Sequence, residues 1–99
     1  MPDKTSQFMW HDCKLVPWEQ ATFHVLSHAL HYGSSVFEGL RVYKTPDGPI
    51  GVRLTDHIRR LFNSAKIHRI KIPYSLATLV AACKDVIREN KLFGGAYLR

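Results

Sequence analysis

Between Ser35 and Arg99 the hydrophobic period of the chain changes from two to about 3.6 and back, which confines it to a mixed α and β architecture. In SVFEGLRVY, residues 35–43, alternation puts Val36, Glu38, Leu40 and Val42 on one face of a strand. Phe37, Gly39, Arg41 and Tyr43 take the other face. Pro46-Asp47-Gly48-Pro49 supplies a turn, and residues 50–54 read as the partner strand. Thr55 reads as the N-cap of a helix running to about Ile70, with Asp56 at its positive end. Ile58, Leu61, Phe62 and Ala65 form its core stripe. Beyond Pro73, Ser75 caps a second helix through Asn90, with the stripe Leu76, Leu79, Val80, Cys83, Val86 and Ile87. Gly94-Gly95 then leads into a strand at 96–99, where Tyr97 and Arg99 share one face and Ala96 and Leu98 the other.

The N-terminal third is less regular. Residues 8–11 and 14–18 read as a hairpin around Asp12-Cys13, although the second turn position ordinarily wants glycine or asparagine at positive φ. Residues 21–26 suit an extended segment, and 28–32 a helical turn closed by Gly33. The length of 99 residues is one domain's worth of chain or less, and a strand that stops at Arg99 suggests a piece of something longer. Nothing approaches membrane-spanning length and MPDKTSQF has no apolar signal core, so a cytoplasmic protein is expected. Cys13 and Cys83 do not make a disulfide framework, and Cys83 on an apolar stripe reads as a small hydrophobe. The net charge of +6 invites a nucleic-acid reading, yet the basic residues are spread from Lys4 to Arg99 rather than massed. Anionic small ligands or an acidic remainder of a longer chain explain that balance equally well.

Several residues look chemically purposeful. Phe37, Gly39 and Arg41 combine an aromatic, a gap and a cation, which suits a pocket wall; a solvated outer face is the plainer reading. Glu38 falls on the core face and must be paired there, because an unpaired buried carboxylate is costly. Arg60 points away from the first helix's core stripe, and Ile67 shares that far side. Tyr97 with Arg99 suits a carboxylate, through a phenol hydrogen bond and a planar guanidinium fork, or else lines an edge strand. His24, His28 and His31 have helical ligand spacing, but no HExxH accompanies them. Their expected role is to organise the turn before Gly33, and no metal site is expected.

The run SHALHYGSSVFEGLRVY, then HIRRLFNSAKI and AYLR, closely resembles the start of the branched-chain amino-acid aminotransferases, fold-type-IV enzymes that use pyridoxal 5'-phosphate. The resemblance implies an α+β fold: the two-layer small domain of the D-amino-acid-aminotransferase-like type, an antiparallel-rich sheet with two main helices on one face. Residues 1–99 would then be the N-terminal small domain, truncated at its C-terminal end and lacking the large cofactor-lysine domain. By the same resemblance Arg60 binds the cofactor phosphate, and Phe37 and Gly39 line the substrate side-chain pocket beside Arg41. Tyr32 reaches a neighbouring subunit's pocket, and Tyr97 and Arg99 bind substrate carboxylates. The implied reaction exchanges an amino group between leucine, isoleucine or valine and 2-oxoglutarate. The implied assembly is a homodimer or higher homo-oligomer, with no nucleic-acid or membrane partner. None of Lys4, Lys14, Lys44, Lys66, Lys71, Lys84 or Lys91 sits in the context of the family's catalytic lysine, so these residues alone are expected to be inactive. Asp12-Cys13 departs from the Asn-Gly common in the family. Rival readings are a D-amino-acid aminotransferase or aminodeoxychorismate lyase relative, and a non-enzymatic basic binding module.

Overall fold

The computed structural model describes residues 5–99, so Lys4 lies outside the described residues. Strands β1 (Phe8–His11) and β2 (Lys14–Pro17) pair antiparallel, with Met9 opposite Val16 and Trp10 opposite Leu15. Both residues of their turn, Asp12 at φ 50° and Cys13 at φ 70°, are left-handed. This backbone matches the right-handed twist of the strands, so the hairpin forms despite the missing glycine. The Cβ of Cys13 bears the strain. Cys13→Gly is therefore expected to stabilise the fold by about 1 kcal/mol, read as a shift in urea midpoint at constant slope.

Of the segment expected to be extended, residues 21–24 are neither strand nor helix and residues 25–26 form a turn. Ser27 N donates to His24 O at 2.9 Å, and a turn leads into the short helix α1 (His28–Tyr32). Gly33 closes α1 at φ 66°, its amide donating to Ala29 O at 2.9 Å, as its position implied.

Strands β3 (Leu40–Thr45), β4 (Gly48–Gly51) and β5 (Ala96–Leu98) form an antiparallel sheet in the order β4-β3-β5. The strand expected at 35–43 thus begins at Leu40, and the partner expected at 50–54 lies at 48–51. The alternation of burial nonetheless runs on through residues 36–43, interrupted only at half-buried Gly39. What residues 35–39 lack is a ladder. Leu40 faces Leu98 and Arg41 faces Tyr97, so continuing that register sets Gly39 across from Arg99 and residues 35–38 across from higher positions. Alternation reports which face is buried, whereas strand assignment needs a hydrogen-bonded neighbour.

Helix α2 (Leu54–Ile67) starts one residue before Thr55, which is therefore not its cap. Arg53, at φ 51° and ψ 41°, turns the chain into the helix, and its Nε donates to Asp56 Oδ2 at 2.9 Å. The helix ends at Ile67 rather than Ile70. Arg69 at φ 57° reverses the chain, and Ile70 N donates to Ala65 O at 2.8 Å, a Schellman closure built without glycine. Helix α3 (Leu76–Glu89) has the expected cap: Ser75 Oγ accepts from Thr78 N at 3.1 Å. Lys91 at φ 53° ends it in the same way, with Leu92 N donating to Ile87 O.

The architecture is two layers. Leu40 and Val42 of β3 and Ile87 of α3 form a buried cluster, and Leu54, Leu92, Ala96 and Leu98 pack against it. Ile58, Ala65 and Ala82 are also buried, and α2 contacts α3. Ala82 was not in the expected stripe of α3. Burial pushes the Cys83 thiol pKa up, in keeping with a small hydrophobe. No helix among the described residues is long and apolar enough to cross a membrane.

Asn90 joins the N-terminal hairpin to this body. Its Oδ1 accepts from Gln7 N and Phe8 N, both at 2.9 Å, while Nδ2 donates to Phe8 O at 3.0 Å and Val86 O at 2.9 Å. One side chain thus serves the end of α3 and the start of β1. Asn90→Ala is expected to cost about 1–2 kcal/mol, measured by urea unfolding, with Asn90→Asp recovering only part because a carboxylate donates nothing.

Candidate active site

The two segments with site character meet across β3 and β5. Tyr97 lies directly opposite Arg41 in the ladder. Diagonal neighbours on an antiparallel sheet stay within reach of aromatic and long side chains. Tyr97 accordingly leans over Gly39, where an added Cβ would collide with its Oη and lie 2.7 Å from its Cζ. The same diagonal puts the Arg99 guanidinium 4.2 Å from the centre of the Phe37 ring. Arg41 lies 5.6 Å from the Tyr97 ring centre. Such cation–ring contacts favour a guanidinium flat on an aromatic face. A side chain at Gly39 has no room here because Tyr97 of the same chain occupies the space.

The structure therefore joins Phe37, Gly39, Arg41, Tyr97 and Arg99 into one patch on the outward face of the sheet. Phe37 and Tyr97 remain exposed. A groove of about 630 Å³ lies elsewhere, between β4, the start of α2 and α3. Among the described residues, no ring contact, ion pair or hydrogen bond links Tyr32 or Arg60 to this patch. Tyr32 stands exposed at the end of α1, its ring 4.6 Å from that of His28. His31 Nε2 is 2.7 Å from Val25 O, and His24 Nδ1 accepts from Leu26 N at 3.0 Å. Of the three histidines expected to organise the turn before Gly33, His24 and His31 do so by hydrogen bonds, while His28 makes a ring contact with Tyr32.

On the inward side, Glu38 finds its partners. Its Oε2 lies 3.1 Å from Arg60 Nε, and its Oε1 lies 3.6 Å from His57 Nδ1. Gly39 N donates to the same Oε1 at 3.2 Å. Arg60 is thus not simply directed away from the core; it is tethered at Nε while the rest of the side chain stays exposed. His57 went unnoticed in the sequence. The signal was there, since His57 and Arg60 are three apart and share a helix flank.

Other arginines at the helices have local carboxylate partners: Arg53 and Arg59 share Asp56, and Arg88 pairs with Asp85.

Residues 35–99 match the amino-transferase class IV family. The chain belongs to that family. This class IV chain is 48% identical over 99 residues to a branched-chain-amino-acid aminotransferase of Escherichia coli (strain K12), covering 100% of the chain and 32% of the relative. A Pseudomonas aeruginosa enzyme of the same name is 50% identical over 91 residues, 92% of this chain and 29% of its own. The crystal structure of the E. coli aminotransferase superposes with TM-score 0.90 at 47% identity, over 94% of this chain and 30% of that one. A branched-chain amino acid aminotransferase from T.th., solved with pyridoxamine 5'-phosphate, gives TM-score 0.92 at 44% identity, over 96% and 31%. The class IV chain therefore spans about a third of the length of the relatives it matches. The α+β fold with an antiparallel sheet is that of these fold-type-IV neighbours.

Proposed function

We propose that residues 1–99 are the N-terminal small domain of a pyridoxal-phosphate-dependent branched-chain-amino-acid aminotransferase. The whole protein would transfer the amino group of leucine, isoleucine or valine to 2-oxoglutarate, in the cytoplasm and as a homodimer or higher homo-oligomer. The observation that carries the reading is the outward patch. It sets two guanidinium groups and a phenol beside an aromatic wall, which suits a substrate with an apolar side chain at one turnover and a second carboxylate at the next. A likeness to branched-chain aminotransferases that spans nearly the whole of this chain supports the same reading.

The donor set fits the cofactor. Arg60 offers an exposed guanidinium held from behind by a partly buried acid, and a guanidinium stays charged at every relevant pH and matches phosphate geometry. Bound pyridoxal phosphate supplies the electron sink that amino-group exchange requires. In this chain Arg60 anchors the phosphate. Phe37 walls the side-chain pocket, and Gly39 leaves room for Tyr97. Arg41, Tyr97 and Arg99 orient carboxylates by charge and hydrogen bonding. Tyr32, exposed on α1, extends toward a partner subunit's pocket. The rest of the protein closes the open patch against water and brings the lysine these residues lack.

The test is an assay of the full-length protein with pyridoxal phosphate, L-leucine and 2-oxoglutarate, following glutamate. Turnover of L-leucine, isoleucine and valine is expected, with none from residues 1–99 alone beyond the free-cofactor background. Preference for D-alanine would move the protein to the D-amino-acid branch. Steeply salt-dependent DNA or RNA binding without turnover would instead support a basic binding module.

A further inference from the structure

The geometry points to Glu38 as a positioning residue that aims the Arg60 guanidinium at a phosphate, an inference that rests on the cofactor reading above. Arg60 projects from α2 with its side chain 73% exposed, and a long exposed side chain samples many rotamers unless something holds it. Glu38 holds it. The carboxylate is only 11% exposed, and Oε2 sits 3.1 Å from Arg60 Nε. The other oxygen is occupied from behind: it accepts from Gly39 N at 3.2 Å and faces His57 Nδ1 at 3.6 Å. That imidazole nitrogen is buried and makes no hydrogen bond among the described residues, with Glu38 Oε1 3.6 Å away. Glu38 is thereby held by the Gly39 amide, packed beside His57, and can hold Arg60 in turn.

Contact at Nε matters to what Arg60 can bind. A guanidinium carries five N–H donors, four of them on the two terminal nitrogens. With Nε turned to Glu38, the edge formed by the two Nη atoms has no partner among the described residues and can meet a phosphate bidentately. Simple charge counting predicts the reverse effect of removing Glu38, because deleting a nearby negative charge should tighten anion binding. The two accounts therefore differ in sign.

The experiment measures the dissociation constant for pyridoxamine 5'-phosphate in the full-length protein for wild type, Glu38→Gln, Arg60→Ala and the double variant. Glu38→Gln is expected to weaken binding about fivefold, and to add nothing in the Arg60→Ala background. Glu38→Asp, which keeps the charge but withdraws it from Nε, carries the same expectation and covers the case of a folding defect in Glu38→Gln. In ligand-free protein, the Arg60 guanidinium should become more mobile in both Glu38 variants, read by side-chain NMR relaxation. Unchanged or tighter binding in Glu38→Gln overturns the proposal, and so do losses that add independently in the double variant. A wild type that binds no pyridoxamine phosphate overturns the cofactor reading, and the proposal with it.

Discussion

Arg60→Ala is expected to weaken pyridoxamine 5'-phosphate binding by the full-length protein about 10- to 100-fold, while Arg59→Ala leaves it within about twofold. The two arginines are neighbours on α2 with the same charge and similar exposure, so a general electrostatic contribution would treat them alike. Their surroundings differ. Arg59 reaches back to Asp56 at 3.7 Å, an i,i+3 pair open to solvent whose net worth is small. Arg60 is held at Nε by a partly buried carboxylate and keeps its Nη edge available. A charge-assisted hydrogen bond to phosphate contributes about 1.5–3 kcal/mol, which sets the expected range. Pyridoxamine phosphate is the suitable probe because it forms no covalent bond to a lysine. Equal losses in the two variants would mean that the helix supplies only positive charge.

Gly39→Ala is expected to raise the KM of the full-length protein for L-glutamate about tenfold or more, with little change in Tm. An alanine Cβ at this position would collide with Tyr97 Oη and lie 2.7 Å from Cζ and 3.4 Å from Cε1, so the ring must leave. It can leave cheaply. Tyr97 is 58% exposed on the outward face, and a swing into solvent disturbs none of the buried cluster beneath. Binding bears the change instead, because the phenol and its ring contact with Arg41 are displaced together. The effect on glutamate should exceed that on leucine, which lacks the second carboxylate. Tyr97→Phe keeps the ring and loses only the hydroxyl, so it should have the smaller effect. Adding Gly39→Ala to Tyr97→Ala should then change nothing. An unaltered KM in Gly39→Ala would remove Tyr97 from the carboxylate site.

Several local devices of this fold that depend on neighbours in sequence were legible, although Thr55 lies inside α2 and Arg53 takes the cap position. Ser75 caps α3 through the amide three residues on, and Gly33 closes α1 in the left-handed region, because both need only a short stretch of chain. The stripes of α2 and α3 and the alternation through residues 36–43 were likewise set by the period of apolar side chains. Helix ends were less legible where the usual residue is missing. Arg69 and Lys91 adopt the left-handed conformation that glycine signals, and nothing in their side chains announces it.

What remained was decided by the register of β3 against β5. Facing Arg41 with Tyr97 puts two separately read faces on the same side of the sheet, lays Tyr97 over Gly39, and sets Arg99 against Phe37. A one-residue slip would have sent Tyr97 and Arg99 to the core side and left the same sequence patterns intact. The pairing of Glu38 is of the same kind. The sequence required a partner for a carboxylate on an apolar face, but Arg60 and His57 become that partner only when α2 docks beside the residues that precede β3. Periodicity dictates which way each side chain faces, because it acts within one element. Which side chains then meet depends on how elements align, and that is settled by burial and hydrogen bonding between segments distant in the chain.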